Sequence, residues 1–118
     1  MGCRSADFYE WGWGLSFHFS PRLPGKGWAE SEAAHEARLA AILELGPGKK
    51  CLDAGCGVGG PMRTIASTSG AEVVGITINS YQVQRANHHN QKVTVPRLLS
   101  SSLPAAEQPN CQTVPRLT

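Results

Sequence analysis

A Cys-x-x-Cys pair is missing from this sequence, although it holds four cysteines: Cys3, Cys51, Cys56 and Cys111. No histidine stands at zinc spacing from any of them, so the common structural zinc sites are excluded. A disulfide framework is excluded too, because Cys51 and Cys56 fall in a strand and the turn behind it; a reducing compartment fits. No apolar run approaches the ~18 residues of a membrane-crossing helix. No signal peptide is read ahead of the first aromatic residue. The opening Met1 to Ala6 misses the myristoylation pattern, since Ala6 stands where Ser or Thr is needed. Charge of one sign is scarce as well: the net value of +2 gives no footprint for nucleic acid or an anionic membrane surface. With 118 residues and 41% hydrophobic content, the chain is long enough for one small domain and too apolar for the disordered class.

What is present divides into four stretches. Residues 1–28 form an aromatic segment, which holds all three Trp and all three Phe. Within it, "YEWGWG" (Tyr9 to Gly14) sets rings between two glycines, and glycine weakens helix and strand alike. Pro21, Pro24 and Gly25 forbid a continuous helix further on. The segment reads as a loop. Residues 29–46 read as an amphipathic helix with Ala34, Ala37, Leu39, Ile42 and Leu43 on its apolar side and Gly46-Pro47 as its stop. Residues 47–92 alternate strand, turn, helix, strand, helix. Pro61 suits a first helical turn, Gly70 suits a helix end, and Asn79 or Ser80 caps the second helix. This βαβα order predicts parallel strands with a right-handed crossover, hence an α/β, partial Rossmann-like fold. Residues 93–118 carry four prolines and keep no period of 2 or 3.6, so a disordered tail is expected.

"LDAGCGVGG" (Leu52 to Gly60) carries the chemistry. Glycines at the end of a first strand let backbone approach a ligand, and the next helix offers its electropositive N-terminus. Gly55, Gly57 and Gly60 fit G-x-G-x-x-G. Two details argue against a dinucleotide. Asp53 would repel a pyrophosphate but welcomes the ammonium and sulfonium of S-adenosylmethionine. The second strand ends Gly75-Ile76-Thr77-Ile78-Asn79, without the acid that holds a dinucleotide ribose.

Together, "YEWGWGLSFHFSPRLPGK", "LDAGCGVGGPMRTIA" and "VVGITINSYQVQRANHHN" resemble the sterol 24-C-methyltransferases, which are class I S-adenosylmethionine-dependent methyltransferases. Cyclopropane-fatty-acid synthases share the later motifs more loosely. The resemblance runs from Asp7 to Lys92. It implies that Asp53, Gly55, Cys56 and Gly57 line the methionine part of the cofactor. It implies that Thr77, Ile78 and Gln82 sit by the ribose and adenine, and that Ser16 reaches the cofactor carboxylate. The reaction it implies adds a methyl group to carbon 24 of a cycloartenol- or zymosterol-like sterol, through a carbocation. Tyr9, Trp11 and Trp13 would face that cation, and Glu10 would balance its charge or help remove the proton. Simple packing of these rings as a lid is equally compatible. The resemblance also implies a place in the cytoplasm or on the cytoplasmic side of the endoplasmic reticulum, and admits an oligomer in the full-length family.

Other residues receive plainer readings. His18 is read as a packing histidine, and His35, His88 and His89 as solvated. Cys56 is a small side chain between glycines and not a nucleophile. The match ends near Gln91-Lys92, where the family continues with further strands and a sterol domain. The chain is therefore expected to be a fragment that does not methylate sterol unaided. Two alternatives stand beside this reading: an NAD-binding Rossmann piece, and a non-enzymatic product that binds a partner.

Overall fold

The computed structural model describes residues 5–93 and 98–102. Four helices and three strands follow in the order α1 (Ser5–Trp13), α2 (Trp28–Ile42), β1 (Lys50–Ala54), α3 (Gly60–Ser69), β2 (Glu72–Thr77), α4 (Ser80–Asn90) and β3 (Leu98–Ser102). All strand pairs are parallel, in the order β1-β2-β3, with Asp53 opposite Gly75 and Gly75 opposite Ser100. This is the expected α/β order, extended by one strand.

Local signals set most element ends. Gly59 (φ 80°) leads into α3 and Pro61 occupies its first turn, where a missing N–H costs nothing. Gly70 (φ 73°) ends α3, its N–H donating to the Ala66 carbonyl. The Asn79 side chain accepts from the N–H groups of Tyr81 and Gln82 and so caps α4. Glu30 Oε2 accepts from the Gly27 N–H at the start of α2.

Helices cover one face of the sheet. Val73, Gly75 and Thr77 of β2 are buried against them, while the alternate residues are only half-buried and Leu52 of β1 is 62% exposed. The core joins Met62, Ile65 and Ala66 of α3 to Val73, Cys56 and Ala40. Gly75 is required here: a Cβ at that position would lie 2.7 Å from Cys56 Cβ and 2.8 Å from Met62 Sδ.

Three expectations are corrected. "YEWGWG" lies mostly in helix α1, not in a loop. Gly12 is tolerated inside the helix, and Gly14 (φ 105°) ends it, its N–H donating to Tyr9 and Glu10 carbonyls. Contacts with α4 and Phe17, described below, outweigh the ~1 kcal/mol that a helical glycine costs. The face of α2 read as apolar is the wrong one: Ile42 and Leu43 are 63% and 57% exposed, while Ser31, Glu32, Glu36 and Ala40 are buried. Finally, β3 lies inside the stretch read as a disordered tail unlike the family. Its parallel pairing with β2 is a long-range contact that no local period announces. The other residues of that tail beyond Val93, 94–97 and 103–118, lie outside the described residues.

Replacing Gly75 with Ala should overpack the Cys56–Met62 contact and lower stability by about 1–3 kcal/mol in urea unfolding. A native midpoint in that variant would mean that the sheet–helix spacing is looser than described.

Candidate functional site

A cavity of about 280 Å³ opens at the C-terminal end of β1, where ligands bind in open α/β sheets. Its lower wall is Asp53, Gly55, Cys56 and Gly57; its upper wall is the loop after α1, with Phe17 and His18, and Glu36 of α2. The two walls meet closely. A Cβ on Gly60 would lie 2.1 Å from the Leu15 carbonyl oxygen and 2.6 Å from Ser16 Oγ, so only glycine admits the loop there. One on Gly57, at φ 54°, would touch the Phe17 ring at 3.3 Å.

Glu36 fixes the loop. Its side chain is 2% exposed. Oε1 accepts from Ser16 Oγ at 2.6 Å and pairs with His18 Nε2 at 2.8 Å. Burial works against a charged His18, but the hydrogen bond and charge of Glu36 outweigh it, and the imidazole pKa is raised. Asp53 is also shifted upward, first by burial and then by the negative charge of Glu36. Its Oδ2 is buried with no hydrogen-bond partner. An unpartnered buried carboxylate oxygen beside a second carboxylate is a place for a cationic donor. Within the turn the Gly55 and Cys56 N–H groups donate to the Ile76 carbonyl and the Gly59 N–H to the Cys56 carbonyl, which leaves the Gly57 N–H and the start of α3 for an anionic one. A ligand with an ammonium, a sulfonium and a carboxylate, such as S-adenosylmethionine, fits this donor set.

The sequence-predicted residues separate into three places. Asp53, Gly55, Cys56 and Gly57 line the cavity. The Cys56 thiol pKa is pushed up to about 11 by burial and by Asp53, which agrees with a packing role. Ser16 stands at its edge, buried and engaged with Glu36. Thr77, Ile78 and Gln82 do not line it. Thr77 and Ile78 lie at the end of β2, one strand away, and Gln82 in the first turn of α4; Thr77 Oγ1 donates to Gln82 Oε1 at 2.8 Å and Ile78 is half exposed.

The aromatic group is elsewhere again. Tyr9 and Trp13 line a shallow second cavity of about 270 Å³ with Phe8 and Gly12, and Trp11 is 89% exposed. Tyr9 packs on Phe17 with ring centres 5.6 Å apart, and Trp13 meets Phe19 and Trp28 edge-on. Thus Phe17 links the rings to the first cavity. Glu10 points to α4: Oε1 and Oε2 accept from Arg85 at 3.0 and 2.6 Å, and Oε2 pairs with His89 at 3.2 Å.

Several partners escaped sequence reasoning. Glu36 was part of a helix pattern; its i,i+4 spacing from Glu32, also buried, was the available signal. His18 lines the cavity and is not simple packing, and His35 lines it too. His89 is not solvated: its side chain is 14% exposed against Glu10. Among the described residues, no group of His, Cys, Asp and Glu could hold a metal, and no helix is long and apolar enough to cross a membrane.

Residues 4–103 match the family model described as mycolic acid cyclopropane synthetase. Over 86 residues the chain is 63% identical to squalene methyltransferase 1 of Botryococcus braunii, covering 73% of this chain and 23% of that protein. It is also 63% identical over 86 residues to 24-methylenesterol C-methyltransferase 2 of Oryza sativa subsp. japonica, covering 73% of this chain and 24% of that one. The chain thus spans about a quarter of the length of these curated relatives. Among solved structures, geranyl diphosphate methyltransferase in complex with SAM superposes with a TM-score of 0.58 at 27% identity, over 69% of this chain and 37% of that one.

The His18–Glu36 pair should be visible in the pH response. Because the folded pKa of His18 is raised, its contribution to stability is complete below the ordinary histidine value and fades as pH rises through the folded one. The NMR titration midpoint of the His18 ring should lie above the ordinary value and fall in Glu36→Gln. An ordinary or lower midpoint in the native chain would remove the ion pair from the site.

Proposed function

The chain belongs to the family described as mycolic acid cyclopropane synthetase, and we propose that its cavity is the methyl-donor site of an S-adenosylmethionine-dependent sterol C-methyltransferase. The observation that carries this is Asp53. A carboxylate with a buried, unpartnered oxygen, standing beside Glu36 at the mouth of a glycine turn, suits a ligand that is cationic at one end. The same carboxylate disfavours the pyrophosphate of NAD.

When bound, the cofactor supplies an electrophilic methyl group on a positively charged sulfur. The chain's residues then have definable tasks. Asp53 accepts a hydrogen bond from the ammonium, and Glu36 deepens the negative potential around it. The Gly57 N–H and the start of α3 would meet the carboxylate end, since the N–H groups of Gly55 and Cys56 already donate to the Ile76 carbonyl. Thr77, Ile78 and Gln82 serve the nucleoside side along the same sheet edge. Phe17 covers the glycine turn and keeps water from the donor.

The substrate is an isoprenoid double bond, and we assign it to a sterol side chain at carbon 24 or its methylene substituent, the 24-methylenesterol relative favouring a sterol and, by its name, the methylene. Methyl transfer from the cofactor to this double bond would leave a carbocation on the substrate, to be resolved by hydride shift and loss of a proton. Faces of Tyr9, Trp11 and Trp13 would stabilise that cation without attacking it. Glu10, tied to Arg85 and His89, contributes its negative charge from behind the rings. Such an enzyme would work where sterols reside, at the cytoplasmic face of the endoplasmic reticulum. The equally similar squalene methyltransferase favours a second reading, with the same donor site and a linear triterpene in place of the sterol.

Calorimetric titration tests the donor site. S-adenosylmethionine should bind, NAD should not, and Asp53→Asn should weaken the cofactor by roughly 1–3 kcal/mol, the scale of a charge-assisted hydrogen bond. Equal affinity in the variant, or preference for NAD, would overturn the assignment. Competition by sterol and by squalene analogues on the rings of α1, read by tryptophan emission, separates the two substrates.

A further inference from the structure

Arg63 has no part in the reading above, yet it is a cation only 8% exposed, on the helix that follows the glycine turn. Its Nη1 donates to the Val58 carbonyl at 2.9 Å and to Asn90 Oδ1 at 3.1 Å. Val58 belongs to the glycine turn and is 1% exposed; Asn90 is the last residue of α4. One guanidinium nitrogen therefore bridges the cofactor turn and α4.

The other side of α4 holds the aromatic helix. Tyr81 Oη donates to Asp7 Oδ1 at 2.6 Å, Arg85 donates twice to Glu10, and His89 adds a third contact. These contacts repeat along one face of α4, at 81, 85 and 89. The Arg85 bonds are bidentate and charge-assisted, the strongest geometry open to a carboxylate. The path from turn to ring helix is continuous: Val58, Arg63, Asn90 beside His89, Glu10. Each link is a direct polar contact except the step from Asn90 to His89, which are successive residues of α4.

We propose that Arg63 is a positioning residue: by tying α4 to the glycine turn, it sets where the aromatic helix α1 stands relative to the methyl-donor cavity. Glu10 is then the receiving end of the clasp. Its carboxylate is already committed to two partners, which fits a holding role better than proton removal. The arrangement also makes the two cavities one mechanical unit. A ligand that tightens the turn tightens α1, and by reciprocity a firmer α1 tightens the ligand.

Hydrogen exchange of the full chain, read on the α1 amides, tests this without ligand. Glu10→Gln should speed α1 exchange by at least about tenfold, the scale of charged hydrogen bonds. Asn90→Ala, which leaves Arg63 on Val58, and Arg63→Lys, whose nitrogen ends one bond short of the Nη1 position, should each speed it about threefold to tenfold. Protection of β1 and β2 should not change, as it would if these variants merely loosened the fold. Combining Asn90→Ala with Glu10→Gln should add little to Glu10→Gln alone. If circular dichroism shows Arg63→Lys unfolded, Asn90→Ala decides. Native α1 exchange in Asn90→Ala, or an unprotected α1 in the native chain, overturns the proposal. A second arm rests on the donor-site reading: S-adenosylmethionine should slow α1 exchange in the native chain but not in Asn90→Ala. Absence of any cofactor binding there counts against the donor site, while the ligand-free result still judges the clasp.

Discussion

Glu36 is the constraint around which the site is arranged. A carboxylate at 2% exposure is tolerated only when its lone pairs are used and a positive partner is near. Ser16 and His18 provide both, from one short loop. The loop can reach Glu36 only by crossing the start of α3, and it crosses where Gly60 leaves room for the Leu15 carbonyl. One buried charge thus dictates the course of the backbone, the closeness of loop to turn, and the negative potential felt by Asp53. Moving that charge would open the cavity roof and relax the cavity electrostatics together.

A second polar joint works at a distance from the first. Helix α1 has little reason to be helical by itself: it holds Gly12 between two tryptophans and shows Phe8 and Trp11 to solvent. Its order comes from α4, through Glu10 and Asp7. The Glu10 carboxyl pKa is lowered, chiefly by its hydrogen bond from Arg85, so the joint is electrostatic at neutral pH. Its stabilising effect is present above the ordinary glutamate value and is lost as pH falls through the lowered one. Here the rings are carried on an element held by charges, whereas the donor turn is held by apolar packing of Met62, Val58 and Val73.

Legibility in the sequence follows the same division. β1, α3, β2 and α4 could be read because their signals are local: Pro61 in a first turn, glycines at αL positions, Asn79 as a cap, β-branched residues in "EVVGIT". Asp53 could be read because its chemistry is set by the turn beside it. α1 could not, since glycine propensity argues against a helix and the opposing contacts lie more than 70 residues away. Nor could β3, whose place depends on β2, or the buried side of α2, whose glutamates look like solvent-facing residues until His18 and Ser16 arrive. Periodicity reports how apolar residues are spaced; it is silent on carboxylates buried for a site.

The bare face of the sheet completes the physical picture. Parallel sheets are normally covered on both faces, and among the described residues Leu52 at 62% exposure marks a face that is not. The described helices therefore supply one wall of the donor cavity, its roof and the aromatic helix beyond. On the proposed reading, recognition of the donor's charged end would be concentrated on that wall, in Asp53, Glu36 and the start of α3. Those groups sit at the covered face, packed against the core, so their geometry is set by contacts already present in these residues. The rings of α1 stand farther out and on a softer attachment, held to α4 by charges and hydrogen bonds on one side.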